Sequence, residues 1–261
     1  MRRLILCADD YGLSASVDGA IVDLLARQRL SATSCMVQGA RWPDAAEALR
    51  PYLSTAQVGL HFNLTEGLHN DDLPLGQLLG RVASLRVDRR WVAQRLHEQL
   101  DLFETHLGRP PAYVDGHQHV HVFPGVRGVF LRVLAQRYPT QRPWLRFTAP
   151  LLSPGDQRIK AWVLSVLSVG FAAQAQRAGF TGNHGFAGLY SLSERADFAA
   201  LMRDWCQRLP DKALIMCHPA CGEAVAAVDH GLARQQEYDF LSSDHFSRLL
   251  SEQQIGLHPN E

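Results

Sequence analysis

The chain has 261 residues, of which 46% are hydrophobic and 20% charged, and its 26 basic side chains equal its 26 acidic ones. This composition is typical of a globular protein, and the zero net charge gives no reason to expect nucleic acid or an anionic membrane as a partner. No apolar run is long enough to span a membrane, and the first one stops at Asp9, too early for a signal peptide. The five cysteines form no CxxC pair, so we expect reduced thiols and a cytoplasmic location.

Short apolar runs alternate with longer amphipathic stretches along the whole chain. The runs predict strands at residues 3–8, 32–37, 57–64, 112–117, 144–148, 213–218 and 254–258. The longer stretches predict helices at 17–28, 43–52, 91–107, 125–137, 158–178, 194–208 and 242–251. We expect Gly108 to end the third of these helices, and Ser193 to cap the start of the helix at Glu194.

This alternation indicates parallel βα units, which we assign to one domain over residues 1–261. Such units can form an open doubly wound sheet or close into a barrel. No GxGxxG or P-loop motif follows the first strand, which disfavours an open nucleotide-binding sheet. We therefore predict an α/β fold, a TIM-like (β/α) barrel that is irregular or incomplete. Its active site is expected at the C-terminal ends of the strands.

Two adjacent carboxylates, Asp9 and Asp10, follow the first apolar run. Side by side they repel each other and raise each other's pKa, a cost that a bound cation would remove. Successive residues of a strand face opposite sides, so both can reach one site only if the chain turns there. Gly12 permits such a turn. One carboxylate would then bind the ion while its neighbour acts as a base.

Histidines occur at the ends of two further predicted strands. His61 alone is weak evidence, because a single histidine in an apolar run is more often a core residue. The next strand continues into a run with Asp115, His117, His119 and His121 at alternate positions. In an extended chain His117 and His121 would be roughly 13 Å apart, too far for all three histidines to bind one ion. One of them would therefore bind it, or two if the chain bends. A solvated loop or an adventitious nickel-type site is the alternative interpretation.

His218 lies at the end of the strand predicted at 213–218 and is followed by Pro219. On its own it is as compatible with a core or loop position as with a functional one. Four strand ends that each carry Asp or His are less probable by chance than any single one. A carboxylate and two imidazoles with open positions suit a hydrolytic Lewis acid, and His218 is placed to donate a proton to a leaving group.

Four motifs together resemble the YdjC-like carbohydrate deacetylases, which include chitooligosaccharide deacetylases and deacetylases associated with hopanoid biosynthesis. They are ADDYG at 8–12, GLH at 59–61, DGHQHVHVFP at 115–124 and CHP at 217–219. The resemblance implies a barrel of the polysaccharide-deacetylase type and one divalent metal ion. It also implies hydrolysis of the N-acetyl group of an acetylated amino sugar, in an oligosaccharide or a glycolipid head group, with release of acetate.

The resemblance also implies roles for individual residues. Asp10, His61 and His117 match the metal ligands, Asp9 the general base and His218 the general acid, while Asp115, His119 and His121 would contact the substrate or support a ligand. It implies magnesium, whereas two imidazoles and one carboxylate suit zinc. The expected partner is an N-acetylated sugar, with no nucleic acid and no membrane span, and a homodimer is compatible with the sequence.

Some features stay open at this level. Tyr11 replaces the commoner Phe, residues 68–90 are poor in recognisable motifs, and residues 150–190 differ from the chitooligosaccharide enzymes, so the sugar is not identified. The glycine-rich segment 182–188 is compatible with a loop over the substrate or with an ordinary connection. Arg146 is compatible with pairing to Asp9, with steadying an oxyanion or with a structural role, so it is not assigned to catalysis. A metal-dependent phosphoesterase and a non-catalytic sugar-binding barrel are the rival functions.

Overall fold

A computed structural model describes residues 1–149 and 158–257, where short strands alternate with helices. The strands are β1 (Arg2–Tyr11), β2 (Ala32–Cys35), β3 (Gln57–Phe62), β4 (Tyr113–Gly116), β5 (Trp144–Leu145), β6 (Phe186–Ala187), β7 (Ala213–Cys217) and β8 (Ile255–Leu257). The helices are α1 (Ala15–Ala26), α2 (Trp42–Leu49), α3 (Leu75–Ala83), α4 (Arg89–Leu107), α5 (Arg127–Arg137), α6 (Arg158–Ser168), α7 (Phe171–Arg177), α8 (Phe198–Arg208), α9 (Gly231–Ser242) and α10 (Asp244–Glu252).

All strands pair in parallel in one sheet, in the order β5-β4-β3-β2-β1-β7-β6, and β8 pairs with the start of β1. A parallel bridge between Leu145 and Gly182 connects β5 to the segment just before β6. There the Leu145 N–H donates to the Thr181 carbonyl at 2.9 Å. The sheet thus curls into an irregular barrel, which confirms the predicted α/β fold. Segment 182–188 forms part of its wall.

The apolar runs are explained by burial on both faces of the sheet. From Leu4 to Tyr11 every residue of β1 is buried, as expected for a parallel strand covered by helices on one side and by the barrel interior on the other. In β3, a Cβ at Gly59 would lie 2.5 Å from the Tyr113 ring of the neighbouring strand. Gly59, two residues before His61, therefore lets β3 and β4 pack closely against each other.

The predicted strands correspond to β1, β2, β3, β4, β5, β7 and β8, although residue 258 of the last one lies outside the described residues. Residues 150–157 of the motif-poor segment also lie outside them. The strand β6 and the helices α3 and α9 were not predicted. Within the described ranges, no helix has both the length and the apolar character needed to cross a bilayer.

Two predicted helix boundaries were wrong. The stretch at 158–178 forms two helices, because Gly170 adopts a left-handed φ of 76° between α6 and α7. Helix α8 begins at Phe198 rather than at Glu194, and its cap is Asp197, whose carboxylate accepts from the Ala200 N–H. The predicted end at Gly108 is confirmed, since this residue closes α4 in the left-handed conformation.

Candidate active site

A turn at the end of β1 brings both adjacent carboxylates to one place. Asp10 has a left-handed φ of 69°, and the pairing of β1 with β2 shifts register between Ala8 and Tyr11. The turn therefore lies at Asp10 itself, two residues before Gly12. As a result, His61 Nε2 lies 3.5 Å from Asp10 Oδ1 and 3.9 Å from Asp9 Oδ2.

Asp10, His61 and His117 converge at the C-terminal ends of β1, β3 and β4. Each offers one ligand atom, and these atoms all lie within 4.8 Å of one another. Asp10 Oδ1 is 3.2 Å from His117 Nδ1. The three residues are 1%, 2% and 9% exposed, so the cluster is shielded from bulk water. Residues far apart in the chain thus form the set that the sequence motifs indicated.

The outward ring nitrogens of both histidines are paired with carboxylates. His61 Nδ1 lies 2.6 Å from Asp115 Oδ1, and His117 Nε2 lies 2.8 Å from Glu66 Oε2. Because a carboxylate only accepts, His61 Nδ1 carries the hydrogen of its contact with Asp115, and its Nε2 faces Asp9 and Asp10. Carboxylate-supported imidazoles are the usual arrangement around protein-bound metals, so this donor set fits a divalent ion.

The protonation of His117 is coupled to its two carboxylate neighbours. Burial alone would lower the pKa of His117, but its hydrogen bonds with Asp10 and Glu66 raise that pKa to about 10 in the ion-free protein. A divalent cation and a proton therefore compete for the same nitrogen.

Arg146 neutralises the carboxylate beside the cluster. The guanidinium is fully buried, donates to both oxygens of Asp9 at 2.6 Å and lies 2.5 Å from Asp115 Oδ2. Burial would raise the pKa of Asp9, but Arg146 and His61 hold it below its usual range, so this carboxylate is ionised at neutral pH. Of the possibilities left open for Arg146, the structure shows the pairing with Asp9.

A second group of potential ligands, Cys7, Asp9 and Asp115, surrounds this guanidinium. Arg146 Nη2 lies 3.1 Å from the Cys7 sulfur and also contacts both carboxylates. Burial raises the pKa of the Cys7 thiol, which keeps it protonated. The positive charge that these side chains require is supplied by Arg146, so a second cation is not needed there.

We expect Arg146→Met to destabilise the fold by about 3–5 kcal/mol, because it leaves Asp9 and Asp115 buried without their counter-charge. Urea unfolding of wild type and variant measures this difference. Arg203→Met on the exposed face of α8 is the control, with an expected change within about 0.5 kcal/mol. Equal stability of Arg146→Met and wild type would show that Arg146 does not compensate these carboxylates.

Helix α9 contributes two side chains that contact residues of the site. Arg234 donates to Asp10 Oδ2 at 2.7 Å, leaving Oδ1 facing the histidines. Burial would raise the pKa of Asp10, but Arg234 and His117 hold it well below its usual range. One turn further along, Glu237 is fully buried and accepts from the Tyr190 hydroxyl at 2.6 Å and from the backbone N–H of His218. One helix therefore fixes Asp10 and the backbone of His218.

His218 follows β7 directly, and both Asp9 and Asp10 act electrostatically on its side chain. Its Nδ1 is buried and has no hydrogen-bond partner among the described residues. Burial lowers the pKa of His218 to about 4, although Asp10 and Asp9 oppose this shift. The imidazole is therefore neutral at pH 7 and must gain a proton during a reaction before it can donate one.

The histidine run does not stay extended after His117. The chain enters tight 3-10 turns in which His119 adopts a left-handed φ of 60°. This turn separates the three histidines, and His117 is the one that reaches the ligand cluster. His119 is half-buried with an unpartnered Nδ1 among the described atoms. His121 is fully buried, with Nε2 2.9 Å from the Arg146 carbonyl and its ring beside Phe130.

Three residues of the site were not identified from the sequence: Glu66, Arg234 and Glu237. Asn63 gives a local signal for the first, because its side chain accepts from the N–H groups of Thr65 and Glu66 and so forms a tight turn after β3. The spacing of Arg234 and Glu237 places them on one face of a helix, but α9 itself was not predicted.

The sequence of this chain is similar to a known protein family and to named proteins of other organisms. A family model described as YdjC-like protein matches residues 3–252. The human "Carbohydrate deacetylase" is 37% identical over 147 residues, which cover 51% of this chain and 45% of that protein. The "Chitooligosaccharide deacetylase" of Yersinia pestis (strain Pestoides F) is 30% identical over 228 residues, covering 84% of this chain and 82% of that protein. The matched segments thus span less than half of the human and mouse relatives.

A solved structure shares the fold. It is an Enterococcus faecalis V583 protein provisionally named for cellobiose-phosphate cleavage, with a TM-score of 0.73 and 20% identity over 99% of this chain and 97% of that one. At this identity the likeness supports the architecture alone. The family model covers nearly the whole chain, and the Yersinia relative extends over most of both proteins. The chain therefore belongs to the YdjC-like protein family.

Proposed function

We propose that this protein removes the N-acetyl group from an acetylated amino sugar by metal-dependent hydrolysis, releasing acetate. The observation that carries the proposal is the convergence of Asp10, His61 and His117 within 4.8 Å. Asp9, a further carboxylate, lies beside them. The names of the human and Yersinia relatives support the same reaction class.

Asp10, His61 and His117 would hold the metal ion. A divalent cation bound there would polarise the acetamide carbonyl and lower the pKa of a nearby water. Two imidazoles and one carboxylate suit zinc, whereas the family resemblance implies magnesium. Elemental analysis of protein purified without an affinity tag identifies the ion.

The protein side chains account for the proton transfers. Water adds to the acetamide carbon, and Asp9 accepts the proton that the water loses. Arg146 fixes both oxygens of Asp9, so the acceptor is held in place and ionised. The C–N bond then breaks and acetate leaves. The proton that Asp9 took from the water passes to His218, which is neutral at rest, and from His218 to the amine nitrogen, so both side chains return to their starting states. Asp115 keeps His61 oriented throughout.

An acetate-release screen tests this function directly. The substrates are N-acetylated saccharides and glycolipid head groups, with Asp10→Ala as the inactive control. We expect acetate from at least one of them with the wild type and none with the variant. Phosphate release from a generic ester, with no acetate, would favour a phosphoesterase. Binding of a sugar with no acetate release would favour a sugar-binding barrel.

A further inference from the structure

Helix α6 and the residue after it expose an apolar face. Trp162, Val166 and Val169 are 65%, 51% and 69% exposed, and Val163 is 37% exposed. The spacing of the first three places them on one side of the helix. These four are half of the eight large apolar side chains that are exposed in the described part of the chain. A patch of this kind marks a surface that contacts a protein or a membrane.

A cationic cavity of about 310 Å³ adjoins this face. Arg89, Arg127 and Arg132 line it, and no acidic residue is among its described lining residues. Arg127 joins the two features, because its guanidinium donates to the Val169 carbonyl at 2.9 Å. Helix α5 begins at Arg127 with no side-chain cap, so the positive end of its dipole adds to the field of the arginines. We call the α6 face and this cavity together the α6 surface.

We propose that the α6 surface docks the protein onto an anionic lipid bilayer. Trp162, Val166 and Val169 would enter the interface between head groups and acyl chains, and the arginines would bind lipid phosphates. Tryptophan prefers this region of a membrane, and basic side chains beside an apolar helix face strengthen binding to anionic lipid. The overall charge of zero does not oppose this, because the attraction acts over a short distance from the patch.

Charge complementarity favours lipid over a second copy of the chain. In a two-fold symmetric dimer the same patch meets itself, which would place the arginine cavities of both copies close together. Like charges at such a contact repel each other. A surface of lipid phosphates is complementary both to the arginines and to the apolar side chains beside them.

Contacts connect the α6 surface to two segments at the ends of β4 and β5. The Ser168 hydroxyl, at the end of α6, lies 2.9 Å from the hydroxyl of Thr148, which follows β5. In α7, the Phe171 ring lies 5.4 Å from the His121 ring, in the turn that begins with His117. The docking face is therefore connected, through Phe171 and His121, to the turn that begins with His117. The proposal itself rests on the surface and not on the reaction.

Vesicle co-sedimentation of the full chain tests the proposal. The vesicles contain phosphatidylcholine alone or phosphatidylcholine with phosphatidylglycerol. We expect binding to the anionic vesicles, weakened by salt, and at least about tenfold weaker partitioning of two variants, Trp162→Ser/Val166→Ser and Arg89→Gln/Arg132→Gln. Leu232→Ser on α9 and Arg203→Gln on α8 are matched controls at exposed positions outside the α6 surface, and both should bind as the wild type does.

Three results would overturn the proposal. One is no sedimentation of the wild type with anionic vesicles at low salt, and another is equal binding to both vesicle types. The third is a homodimer in solution that Trp162→Ser/Val166→Ser converts to a monomer, which would assign the face to self-association. All substitutions are on the surface, and equal thermal unfolding midpoints confirm that the variants are folded.

Discussion

Replacing Asp10 with alanine is expected to abolish both cation binding and acetate release. Asp10 Oδ1 is the only carboxylate oxygen of the proposed ligand set, and it faces His61 and His117 at 3.5 and 3.2 Å. Without it the two imidazoles alone hold an ion poorly. We expect cation affinity to fall by more than about 100-fold, the upper end of what loss of a supporting residue causes. Titration calorimetry of chelator-treated protein measures the affinity.

Asp18→Asn is the matched control for this experiment. Asp18 is also a buried carboxylate near the end of β1, but it accepts from the Gly12 N–H and pairs with Arg41. Its replacement should leave cation binding unchanged. Asp10→Asn keeps a hydrogen-bond acceptor for Arg234, which guards against a folding defect in the alanine variant. Wild-type cation affinity in both folded Asp10 variants would remove this residue from the ligand set.

Replacing Asp9 with asparagine is expected to lower turnover by about 10²–10⁴-fold while the cation stays bound. The amide cannot accept the proton that the attacking water loses, but the ligand set of Asp10, His61 and His117 is untouched. Arg146 still pairs with Asp115 in this variant. Steady-state rates of acetate release and calorimetric cation titration, made on the same preparation, separate the two effects.

The outcomes for Asp9 distinguish its roles. A folded Asp9→Asn protein that no longer binds the cation would make Asp9 a ligand instead of a base. Unchanged turnover would exclude Asp9 as the proton acceptor. Because the substitution weakens a buried ion pair with Arg146, the unfolding midpoint is measured alongside to confirm that the variant is folded.

The positions of Asp10, His61 and His117 could be predicted because each lies at the end of a parallel strand. An apolar run predicts a buried strand, and the C-terminal ends of parallel strands meet at one end of a barrel. In the sheet, β2 lies between β1 and β3, and β4 pairs with the other edge of β3. These three residues therefore come within reach of one another. The motifs then separate His117 from the histidines that follow it.

The supporting contacts could be predicted only in part: the sequence leaves the pairing of Arg146 with Asp9 as one of three possibilities and does not indicate that of Arg234 with Asp10. Arg146 meets Asp9 across 137 residues of sequence, and Arg234 meets Asp10 across 224. Single charged residues in loops or helices have no periodicity, and these pairs form only because the sheet curls and the chain turns at Asp10. Likewise, the alternation of residues 115–121 predicts an extended strand. It does not indicate the left-handed residues after His117, which direct His119 and His121 away from the ligand cluster.

Local features of the chain also explain why β6 and α9 could not be predicted from the sequence. β6 contains two residues, too few for a period to be visible, and its place is set by hydrogen bonds such as that from the Leu214 N–H to the Gly185 carbonyl. α9 begins after His230, a residue in the left-handed conformation without a capping side chain, so the usual start signal is missing.

Anomalous diffraction from crystals grown with zinc tests the central claim most directly. Data collected on both sides of the zinc absorption edge locate the ion independently of any assumed role. We expect one strong peak enclosed by Asp10, His61 and His117, and no peak at Cys7 and Asp115, where Arg146 supplies the positive charge. A peak at another position, or full occupancy in crystals of Asp10→Ala, would contradict the proposed metal site.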